Sequence, residues 1–208
     1  MWKKTIILVA LVAAPAALAA PQPTTVSIAA QPSVITYGSS TALSGAVTPA
    51  ESVHVSVATE TCLNPPPQVE NGAPLEVKSA TNGAWSLAVS PQVQTSYQAT
   101  AKEAQSPVVL VQVRPLVTLV KVRSHMFRVR VTAAKNLAGK VALVQKRTTA
   151  GWKTAKSVQL AQISVAAQSY VSGQTFRSGL KHRTVRVMLA HGQVGNCYLA
   201  GISNSVRS

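Results

Sequence analysis

Short stretches in which apolar and polar residues alternate recur from Thr24 to Val206, broken at regular intervals by Gly, Pro, Asn and Ser. Successive side chains of a strand point to opposite faces, so this period of two predicts half-buried β-strands. In the first half strands are expected at 24–30, 40–47, 52–59, 74–80, 84–89, 96–102 and 107–114. Turn signals fall between them at Tyr37-Gly38-Ser39-Ser40, Pro49-Ala50, Asn71-Gly72 and Asn82-Gly83. The second half offers 116–123, 126–132, 139–147, 152–160, 168–176, 183–190 and 197–206. No amphipathic helical period of useful length appears after the N-terminal segment. Two runs of seven short strands, each within about 90 residues, predict an all-β chain of two tandem antiparallel β-sandwiches.

The alternation also assigns faces. Phe127, Val129 and Val131 are expected in a core while Arg128 and Arg130 face solvent; Val185, Val187 and Leu189 are expected inside and Arg186 outside. His54, within VHVSV, is expected to face outward. The stretch 107–123, PVVLVQVRPLVTLVKVR, joins two strand runs with almost nothing between them. Pro115 has no N–H for a ladder and holds Arg114 extended, so Arg114-Pro115 is the expected boundary between a first domain (24–114) and a second (115–208).

The N-terminus changes the expected compartment. A basic start (MWKK), a short apolar run and Ala17-Leu18-Ala19 predict a secretory signal peptide over residues 1–19, cleaved after Ala19 and followed by a leader at 20–23. The apolar run is shorter than the roughly 20 residues that span a bilayer, and Pro15 interrupts it. The mature chain is expected without a transmembrane segment, either secreted or non-covalently associated with the cell surface. Its cores must rest on Val, Ala, Leu and Ile, because aromatics are only 4% of the sequence.

Charge divides sharply at the joint. Within the first domain all five acids, Glu51, Glu60, Glu70, Glu76 and Glu103, stand with only Lys78, Lys102 and Arg114, a net of −2, while Lys3 and Lys4 belong to the expected signal peptide. From Pro115 onward there are fifteen Lys and Arg and no acid, a net of +15. Such a domain repels itself and attracts anions.

ITYGSSTALSGAV (35–47) followed by TNGAWSLAVSPQVQTSYQATA (81–101) resembles a bacterial immunoglobulin-like repeat of secreted and cell-surface proteins. Those repeats pair a Tyr-Gly-Ser turn before the second strand with an Asn-Gly-x-Trp turn and a later Thr-x-Tyr. GKVALVQKR, GWKTAKSVQL and CYLAGISNSV resemble the basic partner domain that often follows such a repeat in actinobacterial exported proteins. The resemblance covers nearly the whole mature chain and implies immunoglobulin-like sandwiches of about seven strands each. It departs at Ala80-Thr81, where many such repeats carry Asp. Tyr97 falls where such folds place a tyrosine corner, so its hydroxyl is expected to bond nearby backbone.

Composition excludes several chemistries. The sequence contains no Asp, which removes a Ser-His-Asp arrangement and leaves too few clustered carboxylates for calcium. The five Glu are expected to be solvated surface groups, no Gly-x-Ser-x-Gly elbow occurs, and no enzyme is expected. Of the four His, only His191 with Cys197 has a ligand-like spacing, and two ligands do not make a metal site. No cofactor is expected. Trp85 and Trp152 are expected to cover the sandwich cores; exposed, they could stack on sugars.

The two cysteines bear on the joint. Export implies an oxidising setting, where an even count invites pairing. A seven-strand sandwich puts its third-to-fourth strand loop where the chain exits and its sixth-to-seventh strand loop where it enters. Cys62 and Cys197 would then converge on Arg114-Pro115, and a Cys62–Cys197 disulfide is expected; the alternative is two free or intermolecular thiols.

The basic half is expected to hold an anionic polymer, a cell-wall polyanion or acidic polysaccharide, through Lys121, Arg123, Arg128, Arg130, Lys140, Lys146, Arg147, Lys153, Lys156, Arg183 and Arg186. Nucleic acid is the less favoured partner, since the basic half offers few aromatics for stacking, Phe127, Trp152, Tyr170, Phe176 and Tyr198, most of them at expected core positions. The alternative reading is an adhesion or carbohydrate-recognition module using the 60–73 loop and Trp85. A third reading gives the charge no partner and ascribes it to solubility or coding bias.

Overall fold

The computed structural model describes residues 22–62, 74–167 and 169–208. The expected signal peptide and nearly all of the 60–73 loop, with its Asn71-Gly72 turn, lie outside the described residues. Two largely antiparallel β-sandwiches follow one another, and each draws its sheets from strands on one side of Arg114-Pro115.

The first half contributes β1 (Thr25–Val26), β2 (Ala29–Gln31), β3 (Val34–Thr36), β4 (Thr41–Thr48), β5 (His54–Thr61), β6 (Leu75–Lys78), β7 (Ala84–Val89), β8 (Thr95–Ala101), β9 (Ala104–Gln105) and β10 (Val109–Arg114). One sheet is built on β4, with β1 and β2 along one edge and β7 along the other. The facing sheet runs β3-β10-β8-β5-β6, with β9 paired to β8. The chain changes sheets at Pro32-Ser33, where Pro offers no N–H to a ladder. Beyond that point β3 lies parallel to β10, with Ile35 opposite Val113. The alternation does not reveal so short a strand. Leu43, Val55, Val57, Val111 and Val113 are fully buried between the sheets. Each contributes roughly 1.5–3 kcal/mol of apolar burial.

The second half contributes β11 (Leu116–Arg123), β12 (Met126–Ala133), β13 (Val141–Thr148), β14 (Gly151–Gln159), β15 (Ala161–Ala166), β16 (Ser169–Arg177), β17 (Thr184–Leu189), a one-turn helix α1 (His191–Val194), β18 (Gly201–Ile202) and β19 (Val206–Arg207). One sheet runs β11-β12-β16-β15; the other runs β14-β13-β17, with β18 and β19 both along β17. The single strand expected at 197–206 is thus two short pieces. The alternation does not mark β15 because all six of its residues are exposed, including Ile163 and Val165, so its apolar positions define no core face. Phe127, Val129, Val131, Val185, Val187 and Leu189 are all fully or nearly fully buried, as the alternation predicts. Phe127 and Phe176 stack across β12 and β16 with ring centroids 6.0 Å apart.

Asn204 closes the gap between the two sheets on one side. Its side-chain amide donates to the Leu119 carbonyl at 2.9 Å and accepts from the Leu119 N–H at 2.9 Å. One side chain thereby does for β11 what a neighbouring strand's peptide group would do.

The joint between the halves is fixed at several points. Cys62, just past β5, and Cys197, in the loop before β18, form a disulfide with Cα atoms 5.5 Å apart. The Gln94 N–H donates to the Cys197 carbonyl at 3.1 Å and the Leu199 N–H to the Val113 carbonyl at 2.9 Å. Tyr198, 1% exposed, accepts from the Ala134 N–H at 2.8 Å and donates to the Gln92 carbonyl at 2.8 Å. Tyr198, not Tyr97, is therefore the tyrosine that ties loop backbone together. Tyr97 is buried in β8 with its hydroxyl at the Thr95 side chain, and burial pushes its pKa up to about 12. Pro115 is buried against Gly201, where an added Cβ would press on the proline ring and on Val117.

Candidate functional site

Strand direction decides where the charge goes. β11 leaves the joint at Leu116 and turns back beyond Arg123, at a rise of about 3.3 Å per residue and so well over 20 Å away. Arg123 pairs with Met126, which pairs with Arg177. In the other sheet the β13–β14 hairpin turns between Thr148 and Gly151, and Thr184 pairs with Arg207. Hydrogen bonds tie these turns together: the Ser178 N–H donates to the His125 carbonyl and the Ser208 N–H to the Arg183 carbonyl, each at 2.9 Å. His125 and His182 turn the chain there with φ of 57° and 51°. These turns form one tip, opposite the joint.

Most of the cations sit at that tip. Lys121, Arg123, Lys146, Arg147, Lys153 and Arg183, all expected, are joined by Arg177, Lys181 and Arg207, which the strand-by-strand reading passes over. Counting every cation after Pro115 finds those three. Lys146 is half-buried and points to the opposite side from Arg147. Lys156 reaches from β14 to the Arg177 carbonyl at 3.3 Å, bridging the two sheets. Lys140, also in the expected set, precedes β13 at the joint end, as does Lys135, and so stands apart from the cations of the tip.

Arg128 and Arg130 project from the outer face of the first sheet. With Thr118, Val120 and Val122 they line a shallow groove of about 280 Å³. Arg186 and Arg147 belong to the opposite face, so the charge wraps the tip instead of forming a single flat patch. There Trp152, expected to cover a core, is half-exposed on the outside of its sheet. The Arg186 guanidinium lies over its ring 4.2 Å from the centroid, and the Arg147 guanidinium is 5.5 Å from it. Arg186 Nε donates to Gln145 Oε1 at 2.8 Å. Burial lowers the Arg186 pKa, and the neighbouring Arg147 charge lowers it further. The strand pattern places Arg186 correctly, but does not show that it crosses β13 to meet a ring on β14.

Trp85 is 4% exposed, packed beside Gly45 in the first core, so it cannot stack on a sugar. That removes the aromatic on which a carbohydrate site with the 60–73 loop depends. His54 is exposed on β5 as expected. The Cys197 sulfur is committed to the disulfide, and His191 Nδ1 lies 3.0 Å from the Tyr198 carbonyl oxygen. Among the described residues no group of three or more His, Cys, Asp or Glu gathers, and no helix is long and apolar enough to cross a membrane.

No family model matches the chain, and no curated protein matches it. Among solved structures, two chains titled "Marsupial T cell receptor" align with it at 11% and 13% identity. They cover 90% and 88% of this chain and all of their own length, with TM-scores of 0.32 and 0.28.

Proposed function

We propose that the chain is a non-enzymatic, exported structural or binding module of the tandem bacterial immunoglobulin-like kind. The tip of its second sandwich holds an anionic cell-surface or extracellular polymer, leaving the first sandwich to space or present. The observation that carries this reading is the gathering of nine of the fifteen cations of the basic half at one end, with no carboxylate side chain anywhere in that half. Exposed Lys and Arg on a rigid frame bind a polyanion by releasing its counterions, and lose little chain entropy in doing so. Phe127, Phe176 and Tyr198 are buried, which leaves few rings to stack on bases and favours a polymer without them.

Retention on heparin and on isolated cell-wall polyanion, measured against salt, tests the reading. R177E/R183E at the tip is expected to elute at clearly lower salt, with the salt slope reduced by about one for each ion pair removed. K135E/K140E, at the joint, is expected to elute close to the parent. Retention that ignores salt, or equal weakening in both variants, would remove the proposal.

A further inference from the structure

The outer face of β14, β13 and β17 holds two guanidinium groups beside one indole with nothing acidic to balance them. In the register Arg147 is opposite Trp152 on the neighbouring strand, whereas Arg186 is opposite Gln145 and reaches across β13 to the ring. Gln145 is 7% exposed, so the acceptor that fixes Arg186 Nε is itself held by the sheet. The bond to Gln145 engages Nε and sets the direction of the guanidinium. Both cations stand within 5.5 Å of one ring centroid, and no Asp or Glu occurs after Glu103. Like charges gathered this closely repel, and a bound anion relieves that repulsion. The cations are held by a ring and an amide rather than neutralised, which sets Arg147 and Arg186 apart from the other Lys and Arg of the tip.

We propose that Arg147, Trp152 and Arg186 form a subsite for one tetrahedral oxyanion ester, sulfate or phosphate, carried on a sugar or polyol backbone. This rests on the polyanion reading above and gives it a point of recognition. A planar guanidinium fork matches two oxygens of such a group, and a second guanidinium reaches a third. The exposed part of the indole packs against the carbons that bear the ester, as aromatic rings do on the apolar faces of sugars. Carboxylate polymers, flat and with two oxygens, engage the pair less completely.

The test titrates the disulfide-bonded chain, at fixed ionic strength, with a heparin oligosaccharide, a poly(glycerol phosphate) and poly-glutamate while tryptophan fluorescence is read. The chain is titrated without residues 1–19, which carry Trp2, and Trp85 is buried, so the signal expected on binding is that of Trp152 and W152F should abolish it. R186Q and R147Q are expected to bind the favoured polymer about tenfold more weakly, the loss of one charge-assisted pair, and to lose the signal. R177Q, with the same change in charge outside the cluster, should weaken binding less and keep the signal. R186K should recover salt-dependent retention but not the signal. The heparin and poly(glycerol phosphate) arms show whether sulfate or phosphate is the partner. An equal response to poly-glutamate overturns the oxyanion assignment. Equal weakening by R186Q and R177Q with no fluorescence change overturns the subsite while the tether stands. No binding of any polymer at low salt overturns both.

Discussion

The Tyr198 hydroxyl donates to the Gln92 carbonyl oxygen across the joint at 2.8 Å. The same hydroxyl oxygen accepts the Ala134 N–H at 2.8 Å, so one buried phenol couples a loop of each sandwich. Replacing Tyr198 by Phe keeps the ring and leaves the Ala134 donor and the Gln92 acceptor without it. Y198F is expected to lose about 1–3 kcal/mol, read as a lower urea midpoint at unchanged slope. A midpoint equal to the parent's would mean that water replaces the hydroxyl.

Alkali should attack the same place. Burial raises Tyr97 to about 12 and Tyr198 further still, against roughly 10 in an unfolded chain. Between those values the folded state holds protons that the unfolded state has released. The stability these two groups contribute is therefore complete below about pH 10 and falls as pH rises through the folded values. Urea melts at about pH 8 and about pH 11 should show the decline, and Y198F should show a shallower one.

The Cys62–Cys197 bridge closes 135 residues of sequence separation. In the chain-entropy model that restrains the unfolded state by about 4–5 kcal/mol. C62S/C197S is expected to lose up to that amount on thermal unfolding, while retaining its strand signal by circular dichroism. Loss of strand content at room temperature would instead mean that the sandwiches need the bridge to fold.

Gly45 is confined by the Ser27 carbonyl and the Trp85 ring, both of which an added Cβ would overlap. G45A is expected to destabilise by about 1–3 kcal/mol through overpacking. Gly139, with open space around its Cβ position, is the control for steric crowding, although its φ of 79° adds backbone strain to a substitution there. Thermal melts of both variants separate crowding from strain.

The fold is largely legible in the sequence because alternation reports burial directly. Phe127, Val129 and Val131 face inward, with Arg128 and Arg130 outward, as the pattern requires. The disulfide is legible because strand order alone decides at which end a loop falls. What stays hidden depends on contacts between strands distant in sequence. Trp152 reads as a core residue until the β13–β14 register sets Arg147 beside it and Arg186 within reach. β15 escapes because an all-exposed edge strand has no buried face to mark it. Tyr198 is at a core position, as its neighbours in sequence imply, but its hydroxyl serves a loop 106 residues earlier in the chain. The tip, too, arises only when the strands are laid in order and their turns fall at one end.

Asn204 holds β11 through both faces of one amide. Were that amide hydrolysed in an ageing protein, the acceptor toward the Leu119 N–H would survive. The donor toward the Leu119 carbonyl would become a second pair of electrons facing the first. The product would also be the one carboxylate side chain in a half of the chain that otherwise has none. A single slow chemical event would thus unfasten the seam between the sheets and mark the molecule with a charge difference that isoelectric focusing can count.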